Sequence, residues 1–109
     1  MEQRSGLFGA LVAAARVVSN SYSGERYGFE GDVSLAPFAV VLELSWCGAA
    51  DGDSVVLLTI DGATPGTAVY DWTGPSTIKV RRFDAAAAAA DLDFQIAVFR
   101  SGFGSVERP

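Results

Sequence analysis

The alternation of apolar and polar residues from Tyr27 onward predicts a chain built mainly of β-strands. Residues 27–35 and 67–72 alternate apolar with polar or small residues, which is typical of strands with one side facing solvent. Residues 55–60 are continuously apolar but too short to favour a helix, so they predict a central strand. The other strands are predicted over residues 38–46, 77–83 and 92–100.

These strands, about six in number, are separated by turn-forming residues at Pro37, 49–54, Asp61-Gly62, Pro65-Gly66 and Gly74-Pro75. Gly, Pro and Asp favour turns because they permit or preset unusual backbone angles. Six short strands at a spacing of about 8–12 residues are typical of all-β folds. We therefore expect a mostly β protein, an antiparallel β-sandwich or small jelly roll.

Residues 6–18 fit two structures. Leu7, Leu11, Ala14 and Val18 form a helical stripe with Ser5 as a possible N-cap, yet both alternating faces are also apolar, as in a doubly buried strand. The alanine content favours a short N-terminal helix. A secretory signal is disfavoured, because the first four residues carry no net positive charge and Arg16 follows the apolar run.

We expect one domain over residues 1–109, with an N-terminal helix or arm at 1–23, a β-sandwich at 27–100 and a C-terminal tail at 101–109. The six alanines between Asp84 and Asp91 form the one low-complexity segment. Asp84 is suited to cap a single helical turn there. We expect this turn to pack on its own domain, with a flat contact to a neighbouring subunit as the alternative.

Charge and hydropathy exclude several partners. The chain has a formal net charge of −5, 50% hydrophobic residues and 19% charged residues. This apolar composition argues against intrinsic disorder, and the negative charge argues against nucleic acid and anionic membranes as partners. No run reaches the roughly 18 apolar residues that a membrane-spanning helix needs.

The sequence lacks the usual equipment for catalysis. There is no histidine, and the single cysteine, Cys47, is expected to be buried and inert. The sequence contains two sets of candidate carboxylates. Asp51, Asp53 and Asp61 would be calcium ligands, but the apolar residues that follow Ser54 break the pattern of a calcium loop. We therefore predict no catalytic residue, no cofactor and no metal.

The second set of carboxylates is Glu43, Asp91 and Asp93. Pairs of carboxylates perform glycoside hydrolysis at separations of roughly 5–9 Å. Such pairs are also ordinary on acidic surfaces, so they do not change the prediction of a non-enzymatic protein. Arg81 and Arg82 should point to opposite sides of a strand, where surface or inter-subunit ion pairs are expected.

Three aromatic residues, Trp46, Tyr70 and Trp72, are the candidate interface or ligand residues. Aromatic side chains fill sandwich cores and protein interfaces, and they also form platforms for sugar rings. Burial is the expected role, and a sugar-binding face is the alternative.

A short and strongly apolar chain leaves apolar surface that its own fold cannot cover, and such surface marks interaction sites. We therefore expect a structural subunit of a large homomeric assembly, with a phage or virus particle as the setting: a head decoration, cement or tail protein. A trimer is one closed form that would cover the surplus, beside other structural proteins of the particle. The alternative is a carbohydrate- or ligand-binding β module in the cytoplasm or secreted.

Overall fold

The computed structural model describes residues 11–45 and 54–100, and it is all-β over these ranges. Its eight strands are β1 Leu11–Val18, β2 Ser21–Tyr22, β3 Phe29–Ala36, β4 Ala39–Leu44, β5 Ser54–Ile60, β6 Gly66–Trp72, β7 Thr77–Asp84 and β8 Phe94–Arg100. The predictions on Ser5, Leu7, Trp46, Cys47, Asp51, Asp53 and the C-terminal tail lie outside the described residues.

The strands form two antiparallel four-stranded sheets. One has the order β2-β1-β8-β5 and is called here the N-terminal sheet; the other has the order β3-β4-β7-β6 and is called the hairpin sheet, because β3–β4 and β6–β7 are hairpins. Strands β8 and β7 lie inside their sheets and bridge segments distant in sequence. This arrangement confirms the predicted antiparallel β-sandwich class, with eight strands instead of about six.

The core lies between the two sheets and follows the period of two that strands impose. The N-terminal sheet contributes Ala13, Ala15 and Val17 from β1 and Phe94, Ile96 and Val98 from β8, and the hairpin sheet contributes Phe29, Val40, Leu42, Leu44, Ile78 and Val80. Alternate residues of β8, namely Phe94, Ile96 and Val98, are therefore buried on one common face. The residues between them face outward, and those of β1 and β8 line one of the two surfaces described below.

The predicted N-terminal helix is wrong over residues 11–18, which form strand β1. Ala13 and Val17 are fully buried while Leu11 and Arg16 are exposed or half-exposed, which is a strand pattern. Six residues of β1 pair with β8. This pairing buries one complete side of the segment, and it overrides the modest helix preference of alanine.

Two further details of the strand prediction needed correction. Strand β5 was expected to be central, but it ends the order of the N-terminal sheet, and its Leu57 is 49% exposed. Strand β2 was missed because two residues, Ser21 and Tyr22, are too short to show a pattern. The apolar run therefore indicates a strand with apolar residues on both faces, but it does not indicate that the strand is central in its sheet.

The alanine-rich segment forms a tight turn on its own domain. The Asp84 carboxylate accepts hydrogen bonds from the backbone N–H groups of Ala86 and Ala88, at 2.9 and 3.0 Å, but it caps a non-helical turn and not the expected helical one. The chain then returns along β7, with Ala89 paired to Phe83. Ala87 adopts a φ of 66°, a left-handed conformation that glycine usually occupies.

Candidate functional surfaces

The first candidate surface is an apolar tip formed by Leu35 and Phe38 at the turn between β3 and β4. These side chains are 71% and 77% exposed, the highest values among the exposed large hydrophobic residues of the described chain. The turn has only two residues, Pro37 and Phe38, because Ala36 and Ala39 already pair across the hairpin. So short a connection holds the two apolar side chains in a fixed place.

The backbone of the apolar tip is strained at Phe38. Its φ is 58°, in the left-handed region that bulky residues rarely adopt. Proline fixes the preceding φ near −65°, and this combination is that of a type II turn, in which glycine or asparagine is preferred at the second position. An exposed phenylalanine there costs about 1–2 kcal/mol of strain, and its exposed ring recovers little by burial within the chain. Strained residues of this kind cluster at functional sites.

The apolar tip lies beside the alanine-rich turn. Phe38, Ala89, Ala90 and Asp91 together line a shallow cavity of about 210 Å³. The small alanine side chains leave the ring of Phe38 standing above its surroundings. The cavity beside the tip is thus bordered by one carboxylate, that of Asp91, and its other lining residues are uncharged.

The second candidate surface is an open groove of about 600 Å³ on the outer face of the N-terminal sheet, called here the outer-face groove. Two rows of residues form its floor, because the register places Ala14 and Leu57 on either side of Ala97, and Arg16 and Thr59 on either side of Gln95. The first row is apolar and the second is polar. Alanine at two of the three apolar positions gives the groove its depth.

The wall of the outer-face groove is the loop that contains Glu25, Arg26 and Tyr27. Tyr27 is 58% exposed, and its backbone N–H and C=O both bond to Ala14. The next residue, Gly28, has a φ of +77°, and a Cβ there would lie 2.0 Å from the backbone oxygen of Val12. Glycine at this position therefore lets the loop pass close to β1 and sets the place of the Tyr27 ring.

The charges around the outer-face groove are unevenly paired. Arg16 donates from Nε to the Asp61 carboxylate at 2.5 Å. The Arg26 guanidinium lies 4.5 Å from the centre of the Tyr22 ring, and within the described chain no carboxylate forms an ion pair with it. Burial is the main cause that raises the pKa of Tyr22 to about 12, a rise that Arg26 partly offsets. Arg26 and Glu25 are thus the two charged groove residues without an ion pair in the described chain, and both charges remain available to a partner.

The aromatic candidates do not form a single exposed platform. Tyr70 and Trp72 lie on the inward side of β6, edge to face with ring centres 6.3 Å apart. Trp72 packs against the core, which fits the expected burial, and Tyr70 remains 37% exposed at the sheet edge. Trp46 lies outside the described residues.

The candidate carboxylates have separate structural partners. Glu43 accepts hydrogen bonds from the hydroxyls of Ser76 and Thr77, both at 2.8 Å, and these bonds lower its pKa. Asp91 instead lies 3.4 Å from Arg82. Arg82 is five residues further along β7 than Thr77, so roughly 17 Å of strand separates the partner of Asp91 from that of Glu43.

Asp93 and Asp61 likewise serve the fold. Asp93 accepts the backbone N–H of Ser19 at 2.9 Å, while Asp61 pairs with Arg16. Within residues 11–45 and 54–100 no group of three metal-ligating side chains is present. Asp61 and Asp93 are neighbours, since the Asp61 backbone N–H donates to the Asp93 carbonyl at 2.9 Å, but their carboxylates bind different groups.

The two consecutive arginines point to opposite faces of β7, as predicted. Arg81 pairs with Asp71 on the surface at 2.6 Å. Arg82 is only 1% exposed, which corrects the expectation of a surface or inter-subunit role. Its guanidinium donates to Asn20 and to the Leu92 carbonyl, at 2.9 and 2.8 Å, and burial lowers its pKa.

Sequence reasoning missed both candidate surfaces. The signal for the apolar tip was present, since Leu35-Ala-Pro-Phe38 places a bulky residue directly after proline in a turn without glycine. The outer-face groove had no comparable signal, because its floor depends on the register between β1, β8 and β5.

Comparison of the chain with protein-family models, with curated proteins and with solved structures finds no match. Among the described residues there is no helix long and apolar enough to cross a membrane. The two surfaces therefore carry the functional argument.

Proposed function

We propose that this chain is a non-enzymatic structural subunit that assembles with copies of itself. The observation that carries the proposal is the apolar tip, where a strained backbone presents Leu35 and Phe38 to solvent. Exposed large hydrophobic side chains that are clustered and fixed are characteristic of interaction sites. Interface hot spots favour aromatic residues because they bury a large area with few rotatable bonds.

The other exposed apolar residues support the same proposal. Tyr27 and Leu57 are exposed at the outer-face groove, and Val69 and Tyr70 at the edge strand β6. Apolar surface is thus presented at three separate places on a small molecule. A subunit that contacts several neighbours requires such a distribution, whereas a binding module for one small ligand requires a single site.

The setting that we propose is a phage or virus particle, with the chain as a head decoration, cement or tail component. Eight strands in two four-stranded sheets have the size of the double-sheet domains that recur in viral capsids. This support is at the level of fold class, which many functions share.

Light scattering coupled to size-exclusion chromatography tests the proposal. We expect the unmodified chain to elute with a molar mass several times 11.4 kDa at micromolar concentration. A folded species with the mass of one chain under the same conditions would overturn the proposed self-assembly.

A second candidate function is carbohydrate binding, which the half-exposed Tyr70 beside Trp72 favours. Because Trp72 packs against the core, its truncation would also unfold part of the protein. Tyr70→Ala is the better probe. Glycan-array binding by the unmodified chain that disappears in a folded Tyr70→Ala variant would support this function, and an array without signal would reject it.

A further inference from the structure

We propose that copies of this chain join head to tail, with the apolar tip of one copy seated in the outer-face groove of the next. This inference rests on the proposed self-assembly and specifies its contact. The tip offers a ring that is 77% exposed, and the groove offers about 600 Å³ of open space. That volume is within the range of roughly 300–1,000 Å³ found for sites that enclose drug-sized groups.

The tip cannot occupy the groove of its own chain. It belongs to the hairpin sheet, whereas the groove lies on the face of the N-terminal sheet that points away from the hairpin sheet. A two-residue turn is also too short to carry Phe38 around the sandwich. A tip that enters this groove must therefore belong to a second copy of the chain.

The chemistry of the two surfaces is complementary. The groove floor presents the methyl groups of Ala14 and Ala97 and the exposed side chain of Leu57, while Tyr27 forms an aromatic wall. A phenylalanine ring that enters this space meets apolar groups below and an aromatic ring beside it. Aromatic pairs contribute beyond the area they bury, because their edges and faces carry opposite partial charge.

The two surfaces offer one pair of opposite charges, Asp91 beside the tip and Arg26 beside the groove, where Glu25 adjoins Arg26. Asp91 borders the tip, and its side chain is 73% exposed despite its long contact with Arg82. Arg26 borders the groove and forms no ion pair with a carboxylate of the described chain. Seating the tip in the groove brings a carboxylate toward this arginine, which favours one orientation of the contact.

Contacts between two different surfaces have a defined consequence for assembly. Each copy retains a free tip at one end and a free groove at the other, so that addition continues until a ring closes or a filament grows. Tip-to-tip contact, by contrast, would stop at a dimer. The two arrangements can therefore be separated by blocking the surfaces one at a time.

Two variants block the two surfaces. Phe38→Asn removes the ring and tolerates the left-handed backbone, and Ala97→Arg fills the groove floor. Thr67→Asn and Thr67→Arg are the matched controls, because they place the same two side chains at an exposed position on the outer face of β6 that belongs to neither surface. Far-ultraviolet circular dichroism establishes that all four variants fold. We expect each blocking variant to weaken self-association by about 30-fold, the change for loss of an interface hot spot, and the controls to leave it unchanged.

The decisive experiment mixes the two blocking variants. The intact tip of Ala97→Arg can enter the intact groove of Phe38→Asn, so we expect a one-to-one dimer with the mass of two chains and no larger species. A mixture that stays monomeric, or a blocking variant that assembles as the unmodified chain does, would overturn the head-to-tail contact. If the unmodified chain itself is a monomer, the proposed self-assembly is wrong. If it assembles but the variants behave otherwise than expected, only the head-to-tail contact is wrong.

Discussion

Replacement of Gly28 by alanine tests how the loop at the groove wall is held. Gly28 follows Tyr27, whose backbone N–H and C=O both form hydrogen bonds with β1. The Gly28 carbonyl accepts a hydrogen bond from the backbone N–H of Ser45. Residues 27–28 thus connect the N-terminal sheet with the hairpin sheet. A change here affects the stability of the sandwich and the position of the Tyr27 ring together.

The expected cost has two parts. The left-handed φ of +77° alone costs an alanine about 1 kcal/mol. The added Cβ would also lie 2.0 Å from the backbone oxygen of Val12 and 2.8 Å from the Cα of Ala13, so backbone must move. Forced displacement in a packed region costs about 1–3 kcal/mol, which gives a total of about 2–4 kcal/mol.

Gly24→Ala is the matched control, because Gly24 has a similar φ of +72° but open space around the position of its Cβ. Urea unfolding followed by tryptophan fluorescence measures the free energy of unfolding of both variants. We expect Gly28→Ala to lose at least about 1 kcal/mol more than Gly24→Ala. Equal losses would refute the close approach of the loop to β1.

Three further predictions concern residues outside the two surfaces. Ala87→Gly should raise the free energy of unfolding by about 0.5–1 kcal/mol in urea titrations, because glycine relieves the left-handed strain of the alanine-rich turn; an unchanged or lower value would contradict that turn. The Tyr22 hydroxyl is buried without a hydrogen-bond partner, and its pKa in the folded state is about 12. The folded protein therefore keeps this proton to a higher pH than the unfolded chain does, so the free energy of unfolding should fall between pH 10 and pH 12. In thermal melts, Tyr22→Phe should lack that part of the fall. The pKa of Glu43 is instead lowered from its ordinary value of 4.5, so its contribution is present above that value and is lost as the pH falls through the folded-state pKa. Glu43→Gln should consequently be less stable than the unmodified chain at pH 7, and the difference should vanish in acid; a pH-independent difference would contradict the hydrogen bonds from Ser76 and Thr77.

The fold class could be predicted from the sequence because alternation is a local signal. Strands such as β7 and β8 carry the period of two in their own residues, and their buried and exposed positions alternate accordingly. The helix predicted at the N-terminus failed because alanine fits both structures, and only the pairing of β1 with β8 decides between them.

The functional surfaces depend on longer-range relations. The burial of Arg82 follows from where Asn20, Leu92 and Asp91 lie in space, which no local pattern contains. The aromatic candidates were chosen by residue type, whereas Phe38 stands out by its backbone angle and exposure. Residue type alone therefore selects the partly buried Trp72 and misses Phe38, the most exposed aromatic ring among the described residues.

Sedimentation velocity of the unmodified chain over a concentration series tests most directly whether copies of this chain bind one another through their exposed apolar side chains. We expect a weight-average mass that exceeds 11.4 kDa and grows with concentration or reaches a fixed multiple of that mass. A single folded species of one-chain mass at every concentration would contradict this expectation.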